Sequence, residues 1–507
     1  MKFTKTLLLG SAAGLMAASS AFAADLPVKA KAVEYVKICS LYGAGFYYIP
    51  GTDTCIKLGG YLRAEVALNT NSVYTGNSSG VAGAHNRLSN YYTMRSREDL
   101  NIDTRTATEY GVVRTFFDAT FTWTSGGYTG GGANPLAGAT AYDANNPAGT
   151  GSGQLAGGAL GVYYAFIQFA GFTMGKAVSQ FSAPWTNYPG NNFDGLVGGG
   201  GTVTGVNQFT YTADFGQGIT AAFSAQDPTV YYQAGINNLG TGFYGTSDYG
   251  GTRSPDLVGM LRVDQAWGLF QASVAAHDNN PAYYGNSETT NSPGSKWGWA
   301  AQLALSIKNI PTGAGDVINV QGVYTNGATR YNIQDLAGGA GAWTTYGSTG
   351  VVGAYQSVGI GFAPDAVFLG PAGGLELIKT WGMRGAYTHN WDPYWNTAIY
   401  GAYAAVQYSG AAKTLMCGVG GTVSATLGAG VTTCNPDYNI AQLGVITRWT
   451  PVKNLTFSAD FTYSYLDQKY AGTTAFGASA TAAKPAAVYE LKDQSTYQML
   501  IRAQRNW

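Results

Sequence analysis

Few side chains in this sequence could carry out acid–base or nucleophilic chemistry. Only three histidines occur: His85 lies in a long glycine-rich stretch, and His277 and His389 lie at the ends of two alternating segments. Hydrolysis by a Ser–His pair needs a base held within hydrogen-bond reach of the nucleophile by a third group. The spacing of these histidines provides no such cluster. The sequence therefore argues against an enzyme and favours three polar histidines near strand ends or in loops.

The four cysteines fall into two local pairs, Cys39 with Cys55 and Cys417 with Cys434. Four cysteines allow three pairings. The local pairing is favoured, because a bridge that closes a loop of about 15 residues stabilises a protein by roughly 3 kcal/mol. A metal site is the alternative, but no histidine or second cysteine lies at ligand spacing. We expect two disulfides, no metal and no cofactor.

The charged residues of several segments recur at every second position. In IKLGGYLRAEVALN, residues 56–69, one set is apolar and the other set includes Lys57, Arg63 and Glu65. A period of two indicates a β-strand with one apolar face and one charged face. The next two alternating segments place further charges on the same face: Arg97, Asp99, Asp103, Arg105, Arg114 and Asp118. The apolar face must pack against a second sheet or against lipid.

The amino-terminal residues predict export. Lys2 and Lys5 precede the apolar stretch TLLLGSAAGLMAA, and Ala21-Phe22-Ala23 matches the small-residue pattern of a cleavage site. We therefore predict that residues 1–23 are a cleaved signal peptide. Residues 24–55 would be a periplasmic segment that precedes the first strand, and residues 56–507 would form the folded domain.

The alternation continues along the chain and predicts sixteen strands. In KWGWAAQLALSIK, Trp297, Trp299 and Leu303 share one face, and Lys296 and Gln302 share the other. The predicted strands span 56–68, 96–106, 111–123, 160–170, 172–179, 206–215, 219–227, 256–265, 268–277, 296–308, 316–326, 375–389, 397–409, 439–449, 455–466 and 496–507.

The connections between these strands are sorted by length. Short joins alternate with long ones that are rich in Gly, Asn, Ser and Tyr. Short turns on one rim and long loops on the other are typical of bacterial outer-membrane barrels, whereas a secreted sandwich has no reason for such sorting. No stretch of about 18 apolar residues follows the signal peptide, so no transmembrane helix is predicted. The sequence predicts an all-β transmembrane antiparallel β-barrel of about sixteen strands, with short periplasmic turns and long extracellular loops.

Bulk composition agrees with such a barrel. The 507 residues include 28 basic and 28 acidic side chains, so no nucleic-acid partner is expected. Charged residues make up 11%, against about 25% in soluble domains. Side chains cannot fill a barrel of about sixteen strands, so the charged face would line an aqueous channel. The 32 residues 24–55 are too few for the plug domain of an active receptor-transporter.

Two lysines contradict the alternation. Lys379 and Lys176 both fall on the apolar phase of their strands. Either a β-bulge shifts the register locally, or those surfaces contact protein instead of lipid, as a subunit interface would.

Four stretches resemble the alphaproteobacterial family of trimeric outer-membrane porins. They are LPVKAKAVEYVKICSLYGAGFYYIPGTDTCIKLGGYLRAEV, TRTATEYGVVRTF, FIQFAGFTMGKA and the terminal RAQRNW. The resemblance covers most of the chain after residue 23 and is densest over residues 25–66. Trp507 ends the chain where related proteins more often end in Phe.

The resemblance implies a homotrimeric pore in the Gram-negative outer membrane for passive diffusion of small hydrophilic solutes, in contact with outer-membrane lipid. In such porins the third long loop folds into the lumen, and its acids face arginines on the wall. The corresponding loop is residues 180–205, here named L3, and its one acid is Asp194. The constriction would comprise Arg63, Arg97, Arg114 and Asp194. Opposed charges create a transverse field that orients polar solutes.

The residues are also compatible with several alternatives. The wall charges could form ordinary ion pairs, such as Arg97 with Asp99 or Asp103, each of which contributes little. The channel could be specific for a solute such as a sugar, because aromatic residues are frequent in the loops. The run GGGGTVTG at 198–205 lacks the lysine of a phosphate-binding loop, so we interpret it as a flexible loop.

Overall fold

The structure is a computed structural model, and it describes most of the chain. The described residues are 37–69, 85, 91–124, 154–155, 158–201, 204–240, 249–285, 292–334, 344–477 and 484–507. The predicted signal peptide lies outside these residues.

The alternating segments form one large antiparallel sheet that closes on itself. The sheet has 18 strands, of which two, Tyr47–Tyr48 and Gln154–Leu155, contain only two residues. The other sixteen are the barrel strands: β1 (Thr54–Leu68), β2 (Tyr92–Thr108), β3 (Gly111–Thr124), β4 (Gly158–Phe169), β5 (Phe172–Ala177), β6 (Val206–Asp214), β7 (Ile219–Gln226), β8 (Asp256–Gln265), β9 (Gly268–Asn279), β10 (Lys296–Lys308), β11 (Val317–Asn326), β12 (Lys379–Asn390), β13 (Trp395–Gln407), β14 (Tyr438–Val452), β15 (Leu455–Gln468) and β16 (Gln494–Asn506). Each strand pairs with the next, and β16 pairs with β1. The predicted closed barrel of sixteen strands is confirmed.

The period-two pattern has the expected effect on exposure. On β10, Leu303 is 59% exposed on the outer surface, and its neighbour Gln302 is 2% exposed on the inner side. Outward aromatic residues cluster near the rim of the short turns, where the rings of Trp395 and Trp449 stack with centroids 5.7 Å apart. Amphipathic rings at this level suit the boundary between lipid and water.

The segment before β1 forms a small hairpin. Cys39 and Cys55 are joined by a disulfide, and Tyr47–Tyr48 pairs with the start of β1. The Phe46 ring lies 4.8 Å from the guanidinium of Arg105, which points inward from β2. Aromatic contact with a cation stabilises such packing, so the hairpin is attached to the rim at which β1 begins.

The long loops form structure of their own at the opposite rim. Two short helices, α1 (Gly410–Cys417) and α2 (Thr422–Leu427), precede the strand Val431–Thr433. The second disulfide joins Cys417 at the end of α1 to Cys434, directly after that strand. Loop segments also build two small sheets: Ile236–Asn238 with Ala366–Phe368 and Leu375–Leu377, and Thr344–Gly347 with Gln356–Ile360, Val431–Thr433, Ala471–Phe476 and Ala487–Leu491. None of the helices in the described ranges is long and apolar enough to cross a membrane.

Loop residues also fill one side of the barrel. Inward side chains of β13, including Tyr400 and Val406, belong to the same apolar cluster as Leu196 and Val197 of L3. Asp365, in another loop, accepts hydrogen bonds from the backbone nitrogens of Ala234 and Thr329, both 2.6 Å away. These contacts hold several loops together, so water can occupy only part of the lumen.

L3 runs along the inner wall of the late strands, as the resemblance implies. Asp460 of β15 accepts hydrogen bonds from the backbone nitrogens of Asn192 at 2.6 Å and Phe193 at 3.2 Å. Arg384 of β12 donates to the Leu196 carbonyl at 3.0 Å, and Arg448 of β14 donates to the Gly190 carbonyl at 2.6 Å. Inward polar residues of these strands therefore satisfy the backbone of a buried loop.

The glycine run of L3 serves close packing. A Cβ atom on Gly198, which has a φ of +86°, would lie 2.2 Å from the Met383 carbonyl oxygen. A Cβ on Gly199 would lie 1.9 Å from the side-chain nitrogen of Gln321. Only glycine permits the loop to lie directly on the wall here, which is a different reason for the run from the flexibility inferred from sequence.

The two out-of-phase lysines lie on the outer surface. Lys379 is exposed at the start of β12, at the rim of the long loops. Lys176 of β5 points outward, and its Nζ donates to the Val162 carbonyl at 2.6 Å. A bulge does occur near Lys176, between β3 and β4, but it leaves this lysine on the outer face.

Candidate functional site

One polar cavity of about 730 Å³ lies inside the barrel, between the wall of the early strands and L3. Its wall comprises residues from β1, β2, β3, β4 and β16, and its other side comprises L3 together with Tyr231 and Gln334 of two further loops. The lining residues that carry charge are Arg63, Arg97, Asp99, Asp118, Asp194 and Arg502. We refer to it as the central cavity.

Two predicted arginines lie side by side in the central cavity. Arg63 on β1 and Arg97 on β2 are direct partners in the strand register. The Arg63 Nε donates to Gln504 at 2.9 Å, and its guanidinium lies 4.4 Å from the Tyr61 ring centroid. The Arg97 Nε donates to Thr122 at 2.9 Å. Like charges directly opposite each other destabilise a sheet, so this placement indicates a role other than stability.

A β-bulge supplies aromatic residues to the central cavity. The register between β3 and β4 shifts between Asp118 and Ala119, where Tyr164 and Val162 are the successive partners. As a result two consecutive residues, Tyr163 and Tyr164, both line the cavity. Bulges often re-aim side chains at functional sites. The Tyr163 ring lies 5.7 Å from the guanidinium of Arg97.

The L3 side of the central cavity presents one carboxylate. Asp194 lines the cavity, and the Tyr188 hydroxyl donates a hydrogen bond to its Oδ1. Burial raises the pKa of Tyr188 well above its ordinary value, and the charge of Asp194 adds to this effect. Tyr188 therefore stays protonated and keeps Asp194 in place. The cavity thus has arginines on the wall and an acid on the loop.

A buried carboxylate holds the arginines of the wall. Glu65 accepts hydrogen bonds from Arg95 of β2 and from Arg502 of β16, and it lies 4.0 Å from the Nε of Arg63. Arg502 also donates to the Asn192 carbonyl of L3 at 3.3 Å. The sequence did not single out Arg502, and the predicted strand 96–106 begins after Arg95. Its position two residues before Arg97 was the available signal for Arg95.

Other predicted pore-lining residues lie nearer the rim of the short turns. Arg114 forms two 3.0 Å hydrogen bonds with Asp103, which also pairs with Arg105 at 3.0 Å. Lys57 lies beside the Phe46 ring at 5.9 Å. The structure therefore brings Arg63, Arg97 and Asp194 into one cavity and places Arg114 below it, paired with an acid.

Asp99 and Asp118 also line the central cavity, on the adjacent strands β2 and β3. Asn101 donates to Asp99 at 3.2 Å. Both carboxylates are largely buried on the inner face. They place carboxyl groups close to the arginines, so acidic and basic side chains occur together on the wall as well as across the cavity.

The two strand-end histidines are held by acids. His277 is fully buried, with its Nδ1 2.7 Å from Asp256 and its Nε2 2.9 Å from the Tyr249 hydroxyl. His389 lies 2.7 Å from Asp316. Burial opposes ionisation of Asp316, but hydrogen bonds from Asn390, His389 and two hydroxyls outweigh it and lower its pKa. His277 has no access for a substrate.

The described ranges contain no group of three or more His, Cys, Asp or Glu residues placed to hold a metal ion. All four cysteines are in disulfides, in the two local pairs expected from sequence. The residues that line the central cavity are suited to contact a polar solute through charge and aromatic surface.

Comparisons with known proteins agree with this architecture. A family described as the porin subfamily matches residues 25–500. Porin Omp2b of Brucella suis biovar 1 is 34% identical over 280 residues, which are 54% of this chain and 66% of that protein. Porin Omp2b of Brucella melitensis biotype 1 is 33% identical over the same shares. The match thus spans slightly less than two thirds of the curated relatives.

Among solved structures, the outer membrane channel DcaP of Acinetobacter baumannii has a similar fold. Its TM-score is 0.53 at 13% identity, and the alignment covers 91% of this chain and 99% of that chain. At this identity the likeness concerns the fold alone.

Proposed function

This chain belongs to the alphaproteobacterial porin family, and from that premise we propose that it forms a water-filled channel for passive diffusion of small hydrophilic solutes and ions. Its location is the outer membrane of a Gram-negative bacterium. The observation that supports the proposal most is the polar central cavity between L3 and the wall. A cavity lined by charges of both signs would conduct hydrated solutes while the surrounding lumen is closed by packed loops.

The constriction in this proposal comprises Arg63, Arg97, Arg502 and Asp194. The arginines lie on the barrel wall and Asp194 lies on L3, so a transverse field would cross the path of a solute. Arginine suits this arrangement because it stays charged beside other arginines. Arg114, which the sequence also suggested, would act on ions closer to the periplasm and more weakly, because it is paired with Asp103.

In this proposal the two rims of the barrel lie on opposite sides of the membrane. The disulfide-linked hairpin before β1 would lie in the periplasm with the short turns, and the helices and small sheets of the long loops would lie outside the cell. Residues 1–23 would be removed on export. The family resemblance supports a homotrimer, and outer-membrane lipid would surround its remaining surface.

A solute-specific channel is the second candidate. The observation that favours it is the group of tyrosines around the arginines, with the Arg63 guanidinium 4.4 Å from Tyr61 and Arg97 near Tyr163. Stacked rings bind the apolar faces of sugars while charged groups bind their hydroxyls. In a specific channel a bound substrate would block the ion current, whereas a general channel would show no such block.

Single-channel recording of the purified protein in a planar bilayer tests the proposal. We expect discrete conductance steps, and three sub-steps if a trimer of pores inserts. Arg63→Gln should shift the reversal potential in a salt gradient toward cation selectivity, because it removes a charge from the constriction. Arg114→Gln, which changes the same residue type outside the central cavity, is the matched control and should shift it much less.

Bilayers that contain the folded protein but pass no current would contradict the channel itself. Equal shifts for the two variants would contradict only the location of the constriction. Reversible block by millimolar concentrations of a sugar would favour the specific channel over general diffusion.

A further inference from the structure

Besides the two lysines, Glu98 and Arg505 also place charge on the outward phase, and Arg505 lies at the rim of the short turns, where it donates to the Lys453 carbonyl. Glu98 lies on the outward phase of β2, where its direct register partners are Leu62 of β1 and Phe121 of β3. Both partners are exposed on the outer face. Within the described residues the Glu98 side chain forms no hydrogen bond or ion pair. A carboxylate among lipid-facing apolar side chains is costly, so this position points to contact with something other than acyl chains.

Lys176 supplies the opposite charge on the same side of the barrel. It lies on the outward phase of β5, beside the exposed Ala165 of β4 and Asn207 of β6. Among the residues that the structure describes, its Nζ makes one hydrogen bond, to the Val162 carbonyl. An ammonium has three donors, so two remain for a further partner. The outer faces of β3 and β4 between the two charges are apolar.

The two charges lie at nearly the same depth in the membrane. Register partners can be followed from each strand to the next, and this series of residues is called the register line. It begins at Ile56, near the periplasmic end of β1, and reaches Lys379, at the extracellular end of β12, so it rises toward the extracellular side. For strands about 4.8 Å apart and tilted by about 40°, three steps from β2 to β5 raise this line by about 9 Å.

Lys176 lies below the line by a similar distance. The line from Glu98 passes Phe121 and reaches Leu160 on β4, whereas Lys176 pairs with Ala165. Leu160 and Ala165 are separated by four register steps and one bulge residue. Four steps of about 3.4 Å along a strand tilted by about 40° correspond to about 10 Å of depth. The climb and the offset cancel, so one carboxylate and one ammonium face outward at equal depth, three strands apart.

We propose that the outer face of β2–β5 is the surface on which a second copy of this chain docks, and that Glu98 of one subunit forms an ion pair with Lys176 of its neighbour. This inference rests on the proposed trimer and names the residues that close it. When copies are arranged about an axis along the membrane normal, the β2 edge of one face meets the β5 edge of the next. Opposite charges at equal depth then meet at every interface.

A lipid occupant fits the observations less well. Lipid headgroups lie at the membrane surfaces, and acyl chains offer no partner for a charge of either sign. A neighbouring subunit supplies both partners at once, and each charge satisfies the other. Lys379 lies outside the interface, because it is at the extracellular rim, where headgroup phosphates are available.

Charge reversal tests the pair. We would compare Glu98→Lys, Lys176→Glu and the double variant by the temperature at which the extracted oligomer dissociates in mild detergent. Each single reversal places like charges at every interface and should lower that temperature clearly. The double variant restores opposite charges and should recover at least about half of the loss. Glu109→Lys and Lys453→Glu, exposed residues of the short turns, are the matched controls.

Three results would contradict the ion pair. The single reversals could dissociate at the same temperature as the controls, the double variant could lose as much in dissociation temperature as the two single variants together, or the wild-type protein could be monomeric throughout. Conductance should be measured on the same samples. A monomer that conducts would contradict the interface but leave the channel proposal intact.

A cross-linking variant covers the case in which charge reversal prevents folding. Glu98→Cys combined with Lys176→Cys introduces two thiols, and the native cysteines do not compete because all are in disulfides. In isolated membranes a short bismaleimide should join subunits into covalent dimers and trimers. The absence of cross-linking, while both thiols still react with a simple maleimide, would contradict the proposal.

Discussion

Glu65 provides the most demanding test of the electrostatics inside the barrel. Its side chain is 0% exposed and faces Arg95, Arg502 and Arg63, of which Arg95 is only 8% exposed. Glu65→Gln keeps the shape and removes the charge, which leaves three neighbouring guanidinium groups without a counter-ion. Removing one partner of a buried ion pair costs about 3–5 kcal/mol, and we expect a loss of this size in the free energy of unfolding.

The matched control is Asp103→Asn, which also removes a carboxylate between two arginines. Asp103 is 12% exposed and Arg114 is 28% exposed. Water screens this pair better, so its loss should cost about 1 kcal/mol or less. Urea unfolding in lipid vesicles, followed by tryptophan fluorescence and extrapolated to zero denaturant, measures both values.

The comparison has a clear refuting result. If Glu65→Gln is as stable as the wild type, or no less stable than Asp103→Asn, Glu65 does not hold the arginines. A functional readout is independent of stability: Glu65→Gln adds net positive charge beside the central cavity, so the channel should become more selective for anions. Unchanged selectivity would show that Arg63 and Arg502 are insulated from the solute path.

Three further predictions concern the loops. Asp460→Ala removes the acceptor of two backbone hydrogen bonds from L3, so single-channel conductance should increase and become noisier; an unchanged trace would show that the other wall contacts suffice. Replacing Cys417 and Cys434 by serine should cost about 3 kcal/mol locally, seen as faster proteolysis of residues 410–437 with an unchanged urea midpoint for the barrel. Burial lowers the pKa of Lys484 to about 7, so the folded state binds fewer protons than the unfolded chain from about pH 7 to 10 and becomes more stable as pH rises. Lys484→Met should therefore raise the melting temperature most below pH 7, and the difference should shrink toward pH 10.

The barrel was readable from sequence because its two environments differ so strongly. Each outward position faces lipid and each inward position faces water or protein, so alternation along β10 or β15 has few exceptions. The predicted strands agree with the observed ones to within a few residues, apart from two. β2 begins at Tyr92, four residues earlier than predicted, and the predicted strand 375–389 is divided into Leu375–Leu377 and β12. Leu375–Leu377 pairs with another loop segment, a long-range contact that has no local signal.

The central cavity was harder to read, because an inward charge can face either water or another loop. The same alternation that places Arg63 on the inner face also places Arg384 and Arg448 there. The first lines the cavity, whereas the other two donate to the backbone of L3. Which of these occurs depends on where L3 lies, and the sequence of L3 has no periodicity from which its path could be derived.

Departures from alternation were more informative than the alternation itself. An inward polar residue is expected in any barrel, but an outward charge requires a specific partner, because lipid offers none. Lys379 lies at the rim of the long loops, where headgroup phosphates would be available to it. Glu98 and Lys176 lie within the apolar surface. They have opposite charges and equal depth, so they could form an ion pair between two copies of the same barrel wall. Sequence phase alone detects such residues, while only the register and tilt of a closed barrel show that Glu98 and Lys176 belong together.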